Sequence, residues 1–237
     1  DVVTVIGWGY SGKPVKTGYA WATLPRATKG TVATYLMNQP RLPMPNRLNM
    51  VNDLFSLVQF PTGLKVGIDK SDSVKLYGWL NSMKYGDVAK TLNDKSVRHT
   101  ALAHSFDVWT SGKPLLKRAK SLSPNKYNNI LLAQMVALRL NIAASDIEMT
   151  PLGFGDLIYD DEALTAPVGA PDLNGLTIRE IAPIVDSLMM GWAEVDTIIR
   201  GKPVYSRHFY DPAIMSYLNT AVTKINNAFE GELDTTS

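Results

Sequence analysis

The sequence predicts a mainly α fold, a compact bundle of about five or six helices with a few short β-strands and an irregular N-terminal arm. Residues 127–143 form a long apolar segment with helical periodicity, other segments repeat apolar residues every three or four positions, and prolines and glycines interrupt the N-terminal quarter. With 237 residues, 45% of them hydrophobic, the chain can bury a core of its own. We expect an arm at 1–59, a helical module at 60–231 and a linker or tail at 232–237.

Apolar spacing defines the elements in the first half of the chain. β-Branched residues at 2–6 predict a short strand, and alternating apolar residues at 64–68 predict another. The segments with helical spacing are 49–58, 72–83 (capped by Asp72 or Ser73) and 97–109. Trp79 and Trp109 lie on the apolar faces of these helices, so we expect them in the core.

Capping residues define the elements in the second half. The long central helix is apolar on most sides and should be covered on most sides. A glycine-rich turn then leads into a strand predicted at 154–159. Thr177, with Glu180 three residues later, forms a capping box for a helix whose apolar face reaches Trp192. Asp211 caps the last helix, in which a proline takes the first position.

Five separated segments share their order and spacing with a recurrent protein module. They are Phe60–Gly67, the central helix through Leu131–Gln134 and Ala137–Asn141, Gly155–Leu157, Leu173–Ile178, and Leu218–Phe229. In these segments the chain resembles a module of large secreted and cell-surface proteins of Bacteroidota and related bacteria. The resemblance implies a mostly helical extracellular unit beside adhesive repeats and sorting domains. The module has no established catalytic residues. The segment 85–124 of this chain is longer and more basic than is usual in the module.

Charge and cysteine usage narrow the function classes. The chain has 24 basic and 22 acidic residues, without the concentrated basic excess of a nucleic-acid-binding protein, so no nucleic-acid partner is expected. The sequence has no cysteine, which excludes disulfides, thiolate nucleophiles and cysteine-ligated metals. The best membrane-span candidate, 130–144, is too short and contains Arg139, so no membrane span is expected.

A second signal points to an exported protein. Exported Bacteroidota proteins carry O-glycans at Asp followed by Ser or Thr and then a small or apolar residue. This pattern makes Ser73, Thr197 and Thr235 glycosylation candidates, and Ser187 also fits it. The alternative for the helical positions is an ordinary helix cap or helix surface. A glycan in the terminal segment would be the most accessible.

Metal chemistry has one candidate group. His99 and His104 are five residues apart, which places them on different helix faces and argues against a shared zinc ion. The densest acidic group could hold a structural Ca²⁺ ion and otherwise forms a solvated loop; it consists of Asp156, Asp160, Asp161 and Glu162. No other cofactor is expected.

Aromatic residues in glycine-rich sequence are the best candidates for an exposed contact surface. They are Trp8, Tyr10, Tyr19 and Trp21. We therefore expect a non-enzymatic extracellular structural or adhesive module whose partners are other copies, other domains of a surface assembly, or glycans. The alternative is a secreted sugar-binding module or carbohydrate-active enzyme, in which Asp156 or Asp160 would act with a second carboxylate.

Overall fold

The computed structural model describes residues 54–55, 59–70, 76–92, 97–147 and 153–227. Several predictions fall outside these ranges. They concern the strand at 2–6, nearly all of the arm at 1–59, the tail at 232–237, the aromatic residues Trp8, Tyr10, Tyr19 and Trp21, and the glycosylation candidates Ser73 and Thr235. Of the helix predicted at 49–58, only Leu54 and Phe55 are described, and both are helical.

The fold is mixed α/β, and the prediction of a mainly α bundle of five or six helices is wrong. Four α-helices and six strands are present, with 36% of the chain helical and 20% in strands, counted over the described residues. In chain order the elements are β1 (Leu64–Val66), β2 (Leu76–Tyr77), β3 (Trp79–Ser82), α1 (Tyr85–Leu92), β4 (Arg118–Ala119), α2 (Ile130–Asp146), a 3-10 helix (Phe154–Asp156), α3 (Ile178–Leu188), β5 (Trp192–Ile199), β6 (Lys202–His208) and α4 (Pro212–Asn227).

The strands form two three-stranded sheets. The first has the order β1-β3-β4, in which β3 is antiparallel to β1 and parallel to β4. All four residues of β3 are buried, so this sheet belongs to the core. The second has the order β2-β5-β6 and is antiparallel throughout. The pairs Leu76–Ala193 and Tyr77–Trp192 hold β2 against the beginning of β5.

Helix α2 is the centre of the core, as its apolar sequence predicts. The Asn129 side chain caps it by accepting a hydrogen bond from the Leu131 N–H. The helix packs against α4 and β1, and its interior face and flanks are both buried. Buried amides join α2 to α4, because Asn226 donates to Gln134 Oε1 at 2.8 Å and accepts from Asn141 at 3.1 Å. These bonds satisfy polar groups that would otherwise be costly to bury.

The described parts of two predicted helices, 76–83 and 97–109, are not helical. Residues 76–82 form β2 and β3. Their apolar spacing is compatible with a helix, and it is equally compatible with strands that are covered by neighbouring strands. Gly78 separates these strands, and a Cβ there would lie 2.7 Å from Leu115. Residues 97–109 form a non-helical loop in which Trp109 is half-buried. The strand predicted at 154–159 is a 3-10 helix followed by one bridge between Ile158 and Thr177.

The capping predictions for α3 and α4 are confirmed, whereas the cap predicted at Asp72 or Ser73 lies outside the described residues. Thr177 and Glu180 form both hydrogen bonds of a capping box at the start of α3. The Asp211 carboxylate accepts from the Ala213 N–H at 2.7 Å, and α4 begins at Pro212. However, α3 ends at Leu188, so Trp192 is not part of it but begins β5.

Candidate functional site

Among the described elements, the hairpin formed by β5 and β6 is the most exposed. Its strands pair from Trp192–His208 at the base to Ile199–Lys202 at the tip, with one irregularity between Val195 and Thr197. Arg200 and Gly201 make the two-residue turn, with φ of 49° and 73°. Positive φ at both central residues is the geometry that suits the right-handed twist of a tight hairpin. Beyond Ala193, neither β2 nor any described strand of the first sheet lies beside this hairpin.

One face of the hairpin is apolar over four neighbouring side chains. Cross-strand partners share a face, so the pairs Val195–Tyr205 and Ile198–Pro203 lie together on the side that carries Ala193. We call these four residues the apolar hairpin face. Val195 is 54% exposed and Ile198 is 68% exposed, so most of this face contacts solvent. An exposed apolar surface on a projecting ribbon is typical of an interaction site.

Aromatic rings gather at the hairpin base. The rings of Trp192 and His208 stack with centroids 5.0 Å apart, and Arg207 lies over the Phe209 ring at 6.0 Å. A depression of about 170 Å³, including space open to solvent, lies beside Trp192 and Phe209. It is smaller than the roughly 300–1,000 Å³ of small-molecule sites. A ligand here would have to lie on the surface rather than enter the molecule.

A histidine cluster orders the loop at 97–109. Buried His99 accepts a hydrogen bond at Nδ1 from the Asn129 N–H at 2.9 Å, and its Nε2 faces the Thr91 carbonyl at 2.7 Å. Nε2 therefore carries the proton and donates it. Burial is the largest effect on the pKa of His99 and lowers it, which fits a neutral ring.

His104 has the opposite environment. Its Nδ1 faces the Ser105 carbonyl at 2.8 Å and the Asp107 carboxylate at 3.1 Å, and its Nε2 faces the Asn128 carbonyl at 3.0 Å. Burial lowers the pKa of His104, but the hydrogen bonds and the charge of Asp107 outweigh it and raise the pKa above its ordinary value. Both ring nitrogens of both histidines are thus engaged within the chain, so neither presents a free nitrogen to a substrate or a metal ion.

The acidic residues proposed for calcium do not converge. Asp156 lies 3.4 Å from the Arg179 guanidinium, and Asp161 bonds the Lys224 ammonium at 2.6 Å. Asp160 and Glu162 are exposed. In the part of the chain that the structure describes, no group of three or more His, Asp or Glu side chains is arranged to hold a metal ion. The carboxylates of Asp156 and Asp161 serve ion pairs between elements instead.

Of the glycosylation candidates, Thr197 lies within the described residues and is exposed on β5. It pairs with Val204, on the face opposite the apolar hairpin face. In the other described triplet Ser187 is also exposed, but Asp186 beside it is buried against Arg139. A glycan on Thr197 would leave Val195 and Ile198 open to a partner.

Sequence reasoning missed the hairpin and placed the contact surface in the arm. A usable signal was present: Val195–Ile199 is rich in β-branched residues, Arg200-Gly201 is a two-residue connection containing glycine, and Val204-Tyr205 follows. The strand signal was overlooked because the helical periodicity of the preceding segment continues to Trp192. That residue fits a helix face as well as a strand.

Within the described ranges, no helix combines the length and the apolar character that crossing a bilayer requires. Comparisons with protein-family models, with curated proteins and with solved structures found no match to this chain.

Proposed function

We propose that this chain is a non-enzymatic structural or adhesive module of an extracellular or cell-surface protein, and that the β5–β6 hairpin is its contact surface. The observation that carries the proposal is the apolar hairpin face. Burying a Val or Ile side chain that is now exposed stabilises an interface by roughly 1.5–3 kcal/mol. Val195 and Ile198 together therefore supply a sizeable driving force for contact with a partner.

The geometry of the polar groups supports a non-enzymatic role. General acid–base catalysis needs a side chain within hydrogen-bond reach of a substrate proton, and the nitrogens of His99 and His104 are engaged by the chain itself. The carboxylates of Asp156 and Asp161 form ion pairs with Arg179 and Lys224. These groups therefore have partners within the chain.

The extracellular location rests on two sequence arguments. One is the five-segment resemblance to the Bacteroidota surface module, and the other is the Asp-Thr-Ile triplet at 196–198 on the exposed hairpin. The test is protease treatment of intact cells that make the protein. We expect the chain to be degraded while a cytoplasmic marker survives. Degradation only after lysis would contradict the location.

A sugar-binding role is a second candidate, favoured by the rings at the hairpin base. Trp192 is half-buried and stacked on His208, while Phe209 and Tyr210 are partly exposed beside it. Aromatic faces of this kind pack against the apolar faces of sugars. Saturable quenching of the tryptophan fluorescence of the chain by an oligosaccharide, lost in Phe209→Ala, would support this role. Unchanged fluorescence across a glycan panel would contradict it.

A further inference from the structure

We propose that the outer edge of β6 pairs antiparallel with the same edge of a second copy of the chain, with Tyr205 on the two-fold axis. This proposal rests on the proposed function and names the partner of the hairpin. The product would be a four-stranded ribbon, β5-β6-β6-β5, with the two apolar hairpin faces joined into one surface.

The outer edge of β6 is available for pairing. β6 bonds β5 along its whole length from Lys202 to His208, and no other described strand lies on its far side. Its residues are exposed or half-buried. An open strand edge presents unpaired N–H and C=O groups, which is a template for another strand. Native edges are often blunted by charges and proline. Because β6 carries Lys202, Arg207 and Pro203, any pairing of this edge must accommodate these three residues.

Pro203 determines which backbone groups point outward. A proline has no N–H, so the pair Ile198–Pro203 must be the kind whose backbone groups face away from the partner strand. Backbone direction alternates along a strand, so Tyr205 and Arg207 also direct their N–H and C=O groups to the free edge. The edge therefore carries intact donors at Tyr205 and Arg207 and an acceptor at Pro203.

A two-fold axis at Tyr205 gives most of these donors and acceptors a hydrogen-bond partner in the second copy. The two Tyr205 residues exchange N–H to C=O bonds, and each Arg207 N–H donates to the C=O of Pro203 in the second copy. The missing proline donor then leaves only the Arg207 carbonyl without a strand partner. This register also overlaps β6 over its full length from Lys202 to His208. Moving the axis to Ser206 or Val204 shortens the overlap.

Side-chain placement favours the same register. Lys202 faces His208 of the second copy, and Arg207 faces Pro203 of the second copy, so no two lysine or arginine side chains lie directly opposite each other. An axis at Arg207 would place two guanidinium groups together, which is unfavourable. The two Tyr205 rings meet in the middle of the joined face, flanked by Val195 and Ile198 from each copy.

The pairing should be weak between free chains. A single pair of edges of this length buries less than the roughly 1,200 Å² of a stable interface. Copies held close together on a surface would pair far more readily, because tethering raises their effective concentration. An experiment must therefore detect transient pairs.

Cysteine trapping tests the register directly, because the chain has no cysteine of its own. Residues that face each other in a bonded antiparallel pair have Cα atoms about 5.5 Å apart, within the range that a disulfide spans. Under mild oxidation, the full chain carrying Tyr205→Cys should form covalent dimers at least about tenfold faster than chains carrying Ser206→Cys or Thr197→Cys. Equal rates, or faster trapping at Ser206, would overturn the proposal.

A second measurement covers the case in which Tyr205→Cys does not fold. Sedimentation equilibrium of the unmodified chain at increasing concentration should show self-association, and Tyr205→Lys should remove it by placing two ammonium groups on the axis. A monomer at all concentrations, or association that Tyr205→Lys leaves unchanged, would overturn the pairing. If pairing fails but Ile198→Ser still weakens attachment to cell envelopes, the hairpin has a different partner and the proposed function stands.

Discussion

The buried ion pair between Arg139 and Asp186 joins α2 to α3. Asp186 Oδ1 also accepts from the Gly67 N–H at 2.8 Å, which ties in the chain just after β1. Gly67 has a φ of 84°, and a Cβ there would lie 2.9 Å from Phe106 and Met190, so the position needs glycine. Burial raises the pKa of Asp186, while Arg139 and the Gly67 N–H oppose the rise only in part.

We expect Arg139→Met to cost about 3–5 kcal/mol of unfolding free energy near neutral pH, because it leaves a buried carboxylate without its counter-charge. A carboxyl with a raised folded-state pKa contributes stability below its unfolded pKa and loses it as the pH rises through the folded pKa. The deficit of Arg139→Met should therefore shrink on acidification to about pH 5.

Urea denaturation at several pH values measures this deficit. The matched control is Arg179→Met, which removes the exposed ion pairs with Asp146 and Asp156. Exposed pairs are worth about 0–1 kcal/mol, so this variant should stay near the wild type. A similarly small loss for Arg139→Met would show that the buried pair contributes little to stability.

The two histidines make opposite contributions to acid stability. The pKa of His99 is lowered, mainly by burial, so its contribution is present above about pH 6.5 and is lost as the pH falls. The pKa of His104 is raised by Asp107 and neighbouring carbonyls against the effect of burial. Its contribution is therefore present at low pH and is lost as the pH rises through its folded pKa.

We expect His99→Gln to lose less stability than the wild type on acidification from about pH 7.5 to 5, and His104→Gln to lose more. Thermal or urea unfolding of the three chains in matched buffers measures the difference. Parallel curves for all three would mean that these rings do not titrate as their contacts require.

At the scale of elements, the capping box makes α3 begin where it does. The Thr177 side chain accepts from the Glu180 N–H, and the Glu180 carboxylate accepts from the Thr177 N–H at 2.8 Å. The hydrogen bonds that the Thr177 N–H and hydroxyl donate to this carboxylate lower the pKa of Glu180. Buried Ile178 and Ile181 then anchor the helix in the core.

Thr177→Ala should cost about 0.5–2 kcal/mol, the usual loss for an N-cap hydroxyl. Thr220→Ala is a matched control, because Thr220 bonds only the Ser216 carbonyl within α4. It should change stability by no more than about 0.5 kcal/mol. Calorimetric melting compares the two, and equal losses would contradict the role assigned to the cap.

Some elements are determined by residues close together in the sequence and could be predicted from it. Others are determined by strand pairing between residues far apart in the sequence. The buried α2, the Thr177 capping box and the Asp211 cap follow from residues within a few positions of each other, so the sequence was sufficient for them. The segment at 76–82 became strand because Ala193 and Val66 supply its pairing partners. These pairing partners lie far apart in the sequence. The helical periodicity of the short segment alone therefore led to the wrong prediction of a helix.

The candidate site was harder to predict than the core. The sequence directed attention to the arm and to the acidic loop, whereas the structure brings Val195, Ile198, Pro203 and Tyr205 together on one exposed face. Apolar residues normally indicate burial, so their exposure becomes visible only when the surrounding elements are placed. The histidine contacts were likewise unpredictable, since His99 bonds Thr91 and Asn129 across separate segments.

At the level of the whole molecule, the described residues form a buried core centred on α2 and an exposed two-stranded ribbon. The core joins α2, α3 and α4 to the first sheet, and the second sheet extends from it as the β5–β6 hairpin. A two-stranded hairpin is only marginally stable by itself in water. Contact with a partner would therefore both bury its apolar face and stabilise it.

Attachment of the purified chain to envelopes of the cells that make it tests whether the hairpin is the contact surface. Ile198 and Ile158 are the same residue type and are 68% and 67% exposed, but only Ile198 lies on the hairpin. We predict that Ile198→Ser lowers attachment about tenfold or more, as the loss of one buried apolar side chain implies, while Ile158→Ser matches the wild type. Equal attachment of all three chains, or equal loss in both variants, would contradict the claim that the hairpin is the contact surface.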